Sequence, residues 1–485
     1  MASSPLSKQD PVIIVGAGVF GLSTALHLAQ RGYSAITVFD RLDYDNSEYS
    51  YLKGCDAASA DINKIVRTGY GKETMYSDLS LEAIQEWHSW NAQIAAGDVP
   101  PGMEPNQVVF RPNGVLVINE GSNVPDFEMA SIKSIADSGL AGTQFLSTLP
   151  GQEEAAKKKG FNMDPFQTRA RGQQVVTLLD SAGGTAIADR ACLFAAHKAR
   201  SFGVKFVLGP QAGSLESVLY GPGGEAIGIQ TKDGKQHRSR LTVLACGGWT
   251  PALLPELDGL CEATGGAVAV YRIPRSSPLW DRLSHKNFPA FNFRMRDGHV
   301  GGLYGFPRDD NGLFKIGYRG TKYTNPKTQP DGKTRSTPVT RYTESEKITA
   351  IPKQASEVLL KFVSEYLPEL AQEGLGVDFT RMCWYTDTFD NHFVVDKVPN
   401  RDGLMVATGG SGHAFKYLPN IGKWVADVIE GIGLDRPAVQ AWRWRSQGNE
   451  SPANVLSEGP SSSRALHNVV LVKPESRGPD IRARL

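Results

Sequence analysis

The chain is poor in cysteine, in charge excess and in long apolar runs, and each shortage removes a class of protein. Its five cysteines, Cys55, Cys192, Cys246, Cys261 and Cys383, are odd in number and scattered along 485 residues. Such a set makes no disulfide framework and has no zinc-site spacing, so no metal is expected and a reducing compartment is. Lysine and arginine number 52 against 51 aspartates and glutamates, a formal net charge of +1. That balance gives no general electrostatic case for nucleic acid or an anionic membrane. No apolar run approaches the roughly 18 residues that a membrane-spanning helix needs. The polar stretch from Met1 to Asp10 lacks the apolar core of a signal peptide. What remains is ordinary for a globular enzyme, with 40% hydrophobic and 21% charged residues over a length that allows two domains.

Val12-Ile13-Ile14-Val15 is a short apolar run suited to a buried parallel strand. It leads into Gly16-Ala17-Gly18-Val19-Phe20-Gly21, which opens a helical pattern that stops at Gly32. A second apolar strand, Ala35 to Phe39, ends on Asp40 and Arg41. Glycines, helix, strand and acid in this order form the dinucleotide fingerprint. Gly16 permits the tight turn, Gly18 lets backbone approach a pyrophosphate, and Gly21 allows close helix–strand packing. Free amides at the helix start favour phosphate, and Asp40 is placed to accept hydrogen bonds from a ribose.

The fingerprint alone does not separate FAD from NAD. Leu241 to Leu244 reads as another buried strand and runs into Gly247, Gly248 and Trp249, while Gly203 to Val207, through Val204, reads as a further one. A simple NAD-linked dehydrogenase completes its nucleotide domain in consecutive units. Here the units are scattered. Between them lie a helical pattern from Met75 to Ala95, with Trp87 and Trp90 as core, and a hairpin expected across Pro112-Asn113-Gly114. Strands expected at Gly265 to Tyr271, Phe291 to Met295, Gly301 to Phe306 and Leu313 to Tyr318 suit a mostly antiparallel sheet. The polar loop Thr321 to Tyr342 reads as lid-like, and residues 121–172 are less legible.

Two late stretches complete the pattern. Cys383 opens the run Cys383-Trp384-Tyr385-Thr386-Asp387-Thr388, and Gly409-Gly410-Ser411-Gly412-His413-Ala414-Phe415-Lys416 is a glycine-rich turn ending in a cation. A lone cysteine is most often a buried structural thiol. Together with the N-terminal fingerprint, however, the chain resembles the monomeric sarcosine oxidase and amadoriase (fructosyl-amino-acid oxidase) family, which includes pipecolate and saccharopine oxidases. The resemblance implies an α/β protein. It would have a glutathione-reductase-type, Rossmann-like FAD-binding domain assembled from 8–70, 183–250 and 383–445. A substrate domain would form from 71–182 and 251–382, followed by an extension over 446–485.

Residue roles follow from the same resemblance. FAD would be held covalently through Cys383, and by Gly16, Gly18, Val19, Phe20, Gly21, Asp40, Arg41, Lys64, Val204, Gly247, Trp249, Gly410, Gly412, Phe415 and Lys416. Arg67 and Lys416 fall at the substrate-carboxylate positions. Lys315 falls at the oxygen-activating lysine, and Lys64 where sarcosine oxidases place arginine and amadoriases lysine. Tyr304 and Tyr385 would line the substrate cavity, with His413 beside the flavin. Arg319 departs from the sarcosine enzymes, which carry histidine there, and suits a larger or more polar substituent on the substrate nitrogen. The implied activity is FAD-dependent oxidation of secondary α-amino acids by oxygen, giving an imine and hydrogen peroxide, in a monomer. Fructosyl-amino-acid oxidation, or L-pipecolate, L-saccharopine or N-methyl-L-amino acid oxidation, stays open as the particular reaction. An NAD-linked dehydrogenase is the remote alternative. The terminal Ala483-Arg484-Leu485 fits a small-basic-leucine peroxisomal address read by an import receptor. A cytoplasmic location is the alternative.

Overall fold

The computed structural model describes residues 5–474 apart from 56, 294–300, 344–345, 450 and 457–458. Met295 of an expected strand and the terminal Ala483-Arg484-Leu485 therefore lie outside the described residues. Val12–Val15 is buried throughout and sits between Leu241–Leu244 and Ile36–Asp40, parallel to both. Covering on both faces is what an unbroken apolar strand requires. Lys205–Leu208 and Leu404–Thr408 extend the parallel sheet on either side, and Val394–Lys397 closes one edge antiparallel. Helices Val19–Gln30 and Ile421–Glu430 pack backbone to backbone, because a Cβ on Gly422 would collide with the Ser23 carbonyl. The first turn of Ile421–Glu430 is used against Ser23, and no residue of the helix lines the cavity.

A second, eight-stranded sheet is built from other stretches. Cys261–Arg272 lies antiparallel between Val377–Thr388 and Leu313–Tyr323. Leu303–Gly305, Ala290–Phe293, Val115–Glu120, Val175–Asp180 and Gln144–Leu146 follow in that order. Only Ala290–Phe293 with Val115–Glu120 is parallel, among the described strands of this sheet. Helix Lys353–Tyr366 covers it with Leu359, Phe362, Val363 and Tyr366, one face at helical spacing. Phe166 meets that face edge-on at Phe362 and Tyr366, Phe291 stacks on Phe362, and Phe288 packs edge-on behind them against Phe166 and Phe291, so the sheet has its own core.

Two expected features differ. Phe110–Arg111 and Val115–Glu120 do not form a hairpin: the first pairs with Gly184–Ile187 and the second with Val175–Asp180. Gly114 turns with φ of +76° and donates its amide to the Gly183 carbonyl, which sends the chain from one sheet to the other. The stretch from 321 to 342 is braced rather than lid-like. It carries the Pro326–Thr328 and Thr334–Ser336 pair, and buried Arg335 bonds Asp258 at 2.6 and 2.7 Å and Asp331 at 2.7 Å. The described residues after 446 include stretches held on the body of the protein. Leu466 and Arg464 exchange backbone hydrogen bonds with Thr324, and Leu471–Val472 pairs with Ile351–Pro352.

Candidate active site

The glycine turn after Val15 forms one end of a cavity of about 950 Å³, at the top of the usual range of roughly 300–1,000 Å³ for ligand pockets. Gly16 has φ of +107°, and a Cβ there would strike the Ala245 carbonyl. A Cβ on Gly18 would lie 3.0 Å from Ser59 Oγ. The helix that starts at Val19 has a glycine at its N-cap and no acid in its first turn, Ser59 Oγ accepts the Val19 amide at 3.1 Å, and Val19 and Phe20 face the cavity. That is the polarity a phosphate needs. Asp40 also faces it, with Oδ2 accepting from the Ala17 amide at 2.7 Å and Oδ1 from Leu42 at 2.9 Å. Burial raises its pKa while those amides, Arg41 and a hydrogen bond from Tyr44 oppose the rise, and a carboxylate has about four acceptor sites, which leaves room for a ribose hydroxyl. Arg41 stacks on Trp249 at 4.1 Å, with Gly247 beside them. Two expected contacts stand off the wall: Gly21 packs against the Gly16 carbonyl, and Val204 is buried behind Lys205–Leu208.

At the other end, Cys383 and Tyr385 project from the same face of Val377–Thr388 and both line the cavity. The partner strand offers Gly266, where a Cβ would press to 3.1 Å from the Tyr385 ring. Gly317 makes the same room for Tyr304, whose hydroxyl lies 3.2 Å from that of Tyr385. Burial pushes both phenols up, so they stay neutral.

A carboxylate with no sequence-derived role organises the nearest cations. Asp61, 2% exposed, bonds Lys64 at 2.5 Å, Lys315 at 2.8 Å and Arg381 at 2.6 Å. Burial alone would raise the Asp61 pKa, but Arg381, Lys315 and Lys64 together hold it well below the usual carboxylate range. Lys315 is 1% exposed and also donates to the Asn63 carbonyl at 2.7 Å. Burial lowers its pKa to about 7, with Lys64 and Arg381 pushing the same way against Asp61. The expected oxygen-facing lysine thus sits one layer behind the cavity wall, drawn there by Asp61, while Lys64 is on the wall. The only advance signal was an acid three residues before Lys64.

Around Tyr70 a second group converges from both ends of the chain. Lys416 donates to the Tyr70 hydroxyl at 2.6 Å, and the Arg67 guanidinium stacks on the same ring at 4.7 Å. The Asn391 carbonyl can only accept, so His413 donates to it from Nε2 at 3.0 Å, and His413 Nδ1 receives the Tyr70 hydroxyl at 3.0 Å. Burial, then Lys416, Arg67 and Arg319, hold His413 neutral. Burial and then Arg67 lower Lys416 well below an ordinary lysine, with Asp180 opposing. Trp87, expected as core, is core, and its indole also fixes the Lys416 carbonyl at 2.7 Å. Gly410, Gly412 and Phe415 line the wall beside Arg319. Phe127 reaches the cavity from the poorly legible stretch, where Ser131 of the same helix receives the Gly71 amide at 2.8 Å.

No helix among the described residues is long and apolar enough to cross a membrane, and they contain no cluster of metal-binding side chains. A model of the FAD-dependent oxidoreductase family matches residues 11–428. L-saccharopine oxidase of Schizosaccharomyces pombe is 30% identical, over 91% of this chain and 94% of its own length. Peroxisomal sarcosine oxidase of Mus musculus is 25% identical, over 85% and 90%. A modified fructosyl peptide oxidase from Aspergillus nidulans superposes with a TM-score of 0.75 at 26% identity, covering 95% of this chain and 98% of that one. These likenesses run the length of both cavity ends, and they remove the NAD-linked alternative: the chain belongs to the FAD-dependent oxidoreductase family and is a flavin-dependent oxidoreductase.

Proposed function

We propose that the protein oxidises secondary, N-substituted α-amino acids with oxygen, giving an imine and hydrogen peroxide. The observation that carries this reading is the convergence of Arg67 and Lys416 on Tyr70, with no carboxylate among the described residues paired to either. A secluded site with two such cations favours an anion, and a carboxylate matches a guanidinium fork and an ammonium. The glycine cradle fits FAD, since side chains at Gly16 or Gly18 would close it. Gly16, Gly18, Val19, Phe20, Asp40, Arg41, Gly247, Trp249, Gly410, Gly412 and Phe415 would hold the cofactor, and Cys383 would bind it through sulfur. When bound, FAD takes the electrons of the carbon–hydrogen bond next to nitrogen and supplies them to oxygen.

The chain's own residues do the rest. Arg67 and Lys416 orient the α-carboxylate. Arg319 joins them in disfavouring a protonated amine, so the nitrogen is held neutral and no strong base is needed. Tyr304 and Tyr385 wall the cavity as neutral phenols. Lys64, Lys315 and Arg381, sharing one carboxylate, leave a positive field for charge developing on oxygen. A monomer is the expected state, in line with the monomeric sarcosine oxidases among its relatives. The segments 8–70, 183–250 and 383–445 would form the FAD-binding domain, and 71–182 with 251–382 the substrate domain. The Ala483-Arg484-Leu485 address would take it to the peroxisome, the compartment in the name of one relative.

A peroxide assay over N-substituted α-amino acids and their amides tests the reading. Release from the acids and not the amides is expected, and no release from any member would overturn it. Acid precipitation should leave the yellow colour in the pellet, and Cys383→Ala should free it. Removing the last three residues of a fluorescent fusion should move it from peroxisomes to cytosol.

A further inference from the structure

Arg319 differs from the other cations on the substrate side. Lys64, Lys315 and Arg381 share Asp61, Lys322 pairs with Asp387 at 2.8 Å, and Arg67 and Lys416 meet at Tyr70. Arg319 comes off the strand Leu313–Tyr323 and lies over the Tyr385 ring at 5.2 Å. Its hydrogen bond is a long one of 3.4 Å to the Ser411 carbonyl. No carboxylate among the described residues forms an ion pair with it. Asp387 feels its charge, but Asp387 Oδ2 is taken by Lys322 and by Thr264 at 2.5 Å. The turn that carries Lys416 is cut away for the guanidinium, because a Cβ on Gly412 would collide with Arg319 Nη1.

The charge count of the cavity follows from the chemistry of the two cation types. A lysine can answer burial by losing its proton, whereas a guanidinium stays charged in a protein. Lys416 can adjust in this way; Arg67 and Arg319 cannot. One α-carboxylate satisfies Arg67 together with Lys416. Arg319 is left facing the cavity across Tyr385, with a planar fork of donors suited to a second carboxylate. We propose that this second carboxylate belongs to the nitrogen substituent, so that the substrates are N-(carboxyalkyl) α-amino acids, secondary amines with an acid on each side. The inference rests on the reading of the site as a secondary-amine oxidase.

Calorimetry on the holoenzyme tests it without turnover. (Propylthio)acetate and 3-(carboxymethylthio)propanoate carry sulfur in place of the amine and differ only by a terminal carboxylate. The dicarboxylate should bind at least about tenfold more tightly, the scale of one charged hydrogen bond or more. That ratio should fall towards one in Arg319→Met and be largely kept in Arg319→Lys. Equal binding by the wild type, or an undiminished ratio in Arg319→Met, would overturn the inference. Anaerobic flavin bleaching by N-propyl and N-(2-carboxyethyl) derivatives of glycine, L-alanine and L-lysine separates this failure from the larger one. Bleaching by both series with equal constants would sink the second-carboxylate site alone. Bleaching by neither would sink the secondary-amine reading and the inference with it. Tighter use of N-fructosylglycine than of either series would assign Arg319 to sugar hydroxyls and overturn the proposal.

Discussion

Lys64 and Arg67 stand three residues apart at the same strand, yet they belong to opposite kinds of cluster. Lys64 is joined by Lys315 and Arg381 around Asp61, so that group carries its own counter-ion. Arg67 is joined by Lys416 at neutral Tyr70, with Arg319 nearby over Tyr385, and no acid is paired to any of the three among the described residues. A buried positive cluster with an internal carboxylate is a fixed field, held in one geometry whether or not a ligand arrives. One without a carboxylate is, on the proposed reading, a receptor for an anion. The comparison sorts six cations of like sign into two functions by the presence of a single aspartate.

Breaking the first cluster should have the largest effect. Asp61→Asn leaves Lys64, Lys315 and Arg381 without their shared anion, and removing one partner of a buried ion pair costs about 3–5 kcal/mol. Chemical denaturation should show that loss; an unchanged midpoint would mean that the cations find other partners and that Asp61 does not organise them. Lys315→Met should come next, slowing reoxidation of the reduced enzyme by about 10²–10³, the usual result of removing one preorganised electrostatic group. Anaerobic reduction by substrate should change far less, and stopped-flow traces of the two half-reactions separate them. Because burial sets the Lys315 pKa at about 7, its ammonium is protonated below that pH and lost above it. The wild-type oxygen rate should therefore fall as pH rises through about 7, and the fall should vanish in Lys315→Met. If reoxidation stays at the wild-type rate in that variant, Lys64→Met, on the cavity wall, is the decisive comparison.

The receptor cluster should respond more gently and only to acids. Arg67→Ala should weaken binding of a carboxylate inhibitor by about 1.5–3 kcal/mol, the worth of a hydrogen bond to a charged group. Its amide should bind almost unchanged, and equal losses for acid and amide would assign Arg67 a packing role. The smallest expected signal is a proton. Lys416 is held below an ordinary lysine by burial and Arg67, and a carboxylate beside it reverses that bias. Binding should take up a proton, and affinity for acids should weaken as pH rises. Calorimetry in two buffers of different ionisation heat measures the uptake directly.

What could be read in advance was whatever is constrained over a short stretch of chain. Gly16 and Gly18 are needed because backbone and Ser59 leave no room for Cβ, and Asp40 follows at the end of the next strand, so the nucleotide end is written locally. The parallel strand at Leu241–Leu244 was legible for a similar reason: a strand covered on both faces needs an unbroken apolar run. Asp61 was not legible, because its partners lie at 64, 315 and 381 and nothing around it marks a shared carboxylate. The bond from His413 to the Asn391 carbonyl and the hub at Tyr70 are non-local in the same way. The expected hairpin at Pro112-Asn113-Gly114 failed because a turn signal does not say which sheet each arm will join.

The order of the strands in the first sheet also bears on how the protein is made. Val12–Val15 is translated early, but the Leu241–Leu244 strand beside it pairs in turn with Leu404–Thr408. Lys416, and Asn454, which bonds Lys322 at 2.6 Å, emerge later still. At about 5–20 residues per second, the ribosome leaves the early apolar strands without their late neighbours for tens of seconds. During that interval the early strands present open sheet edges, the kind of surface that pairs with other chains. The same arrangement has a second consequence: a message cut short anywhere before Lys416 yields a fragment lacking part of the cavity wall.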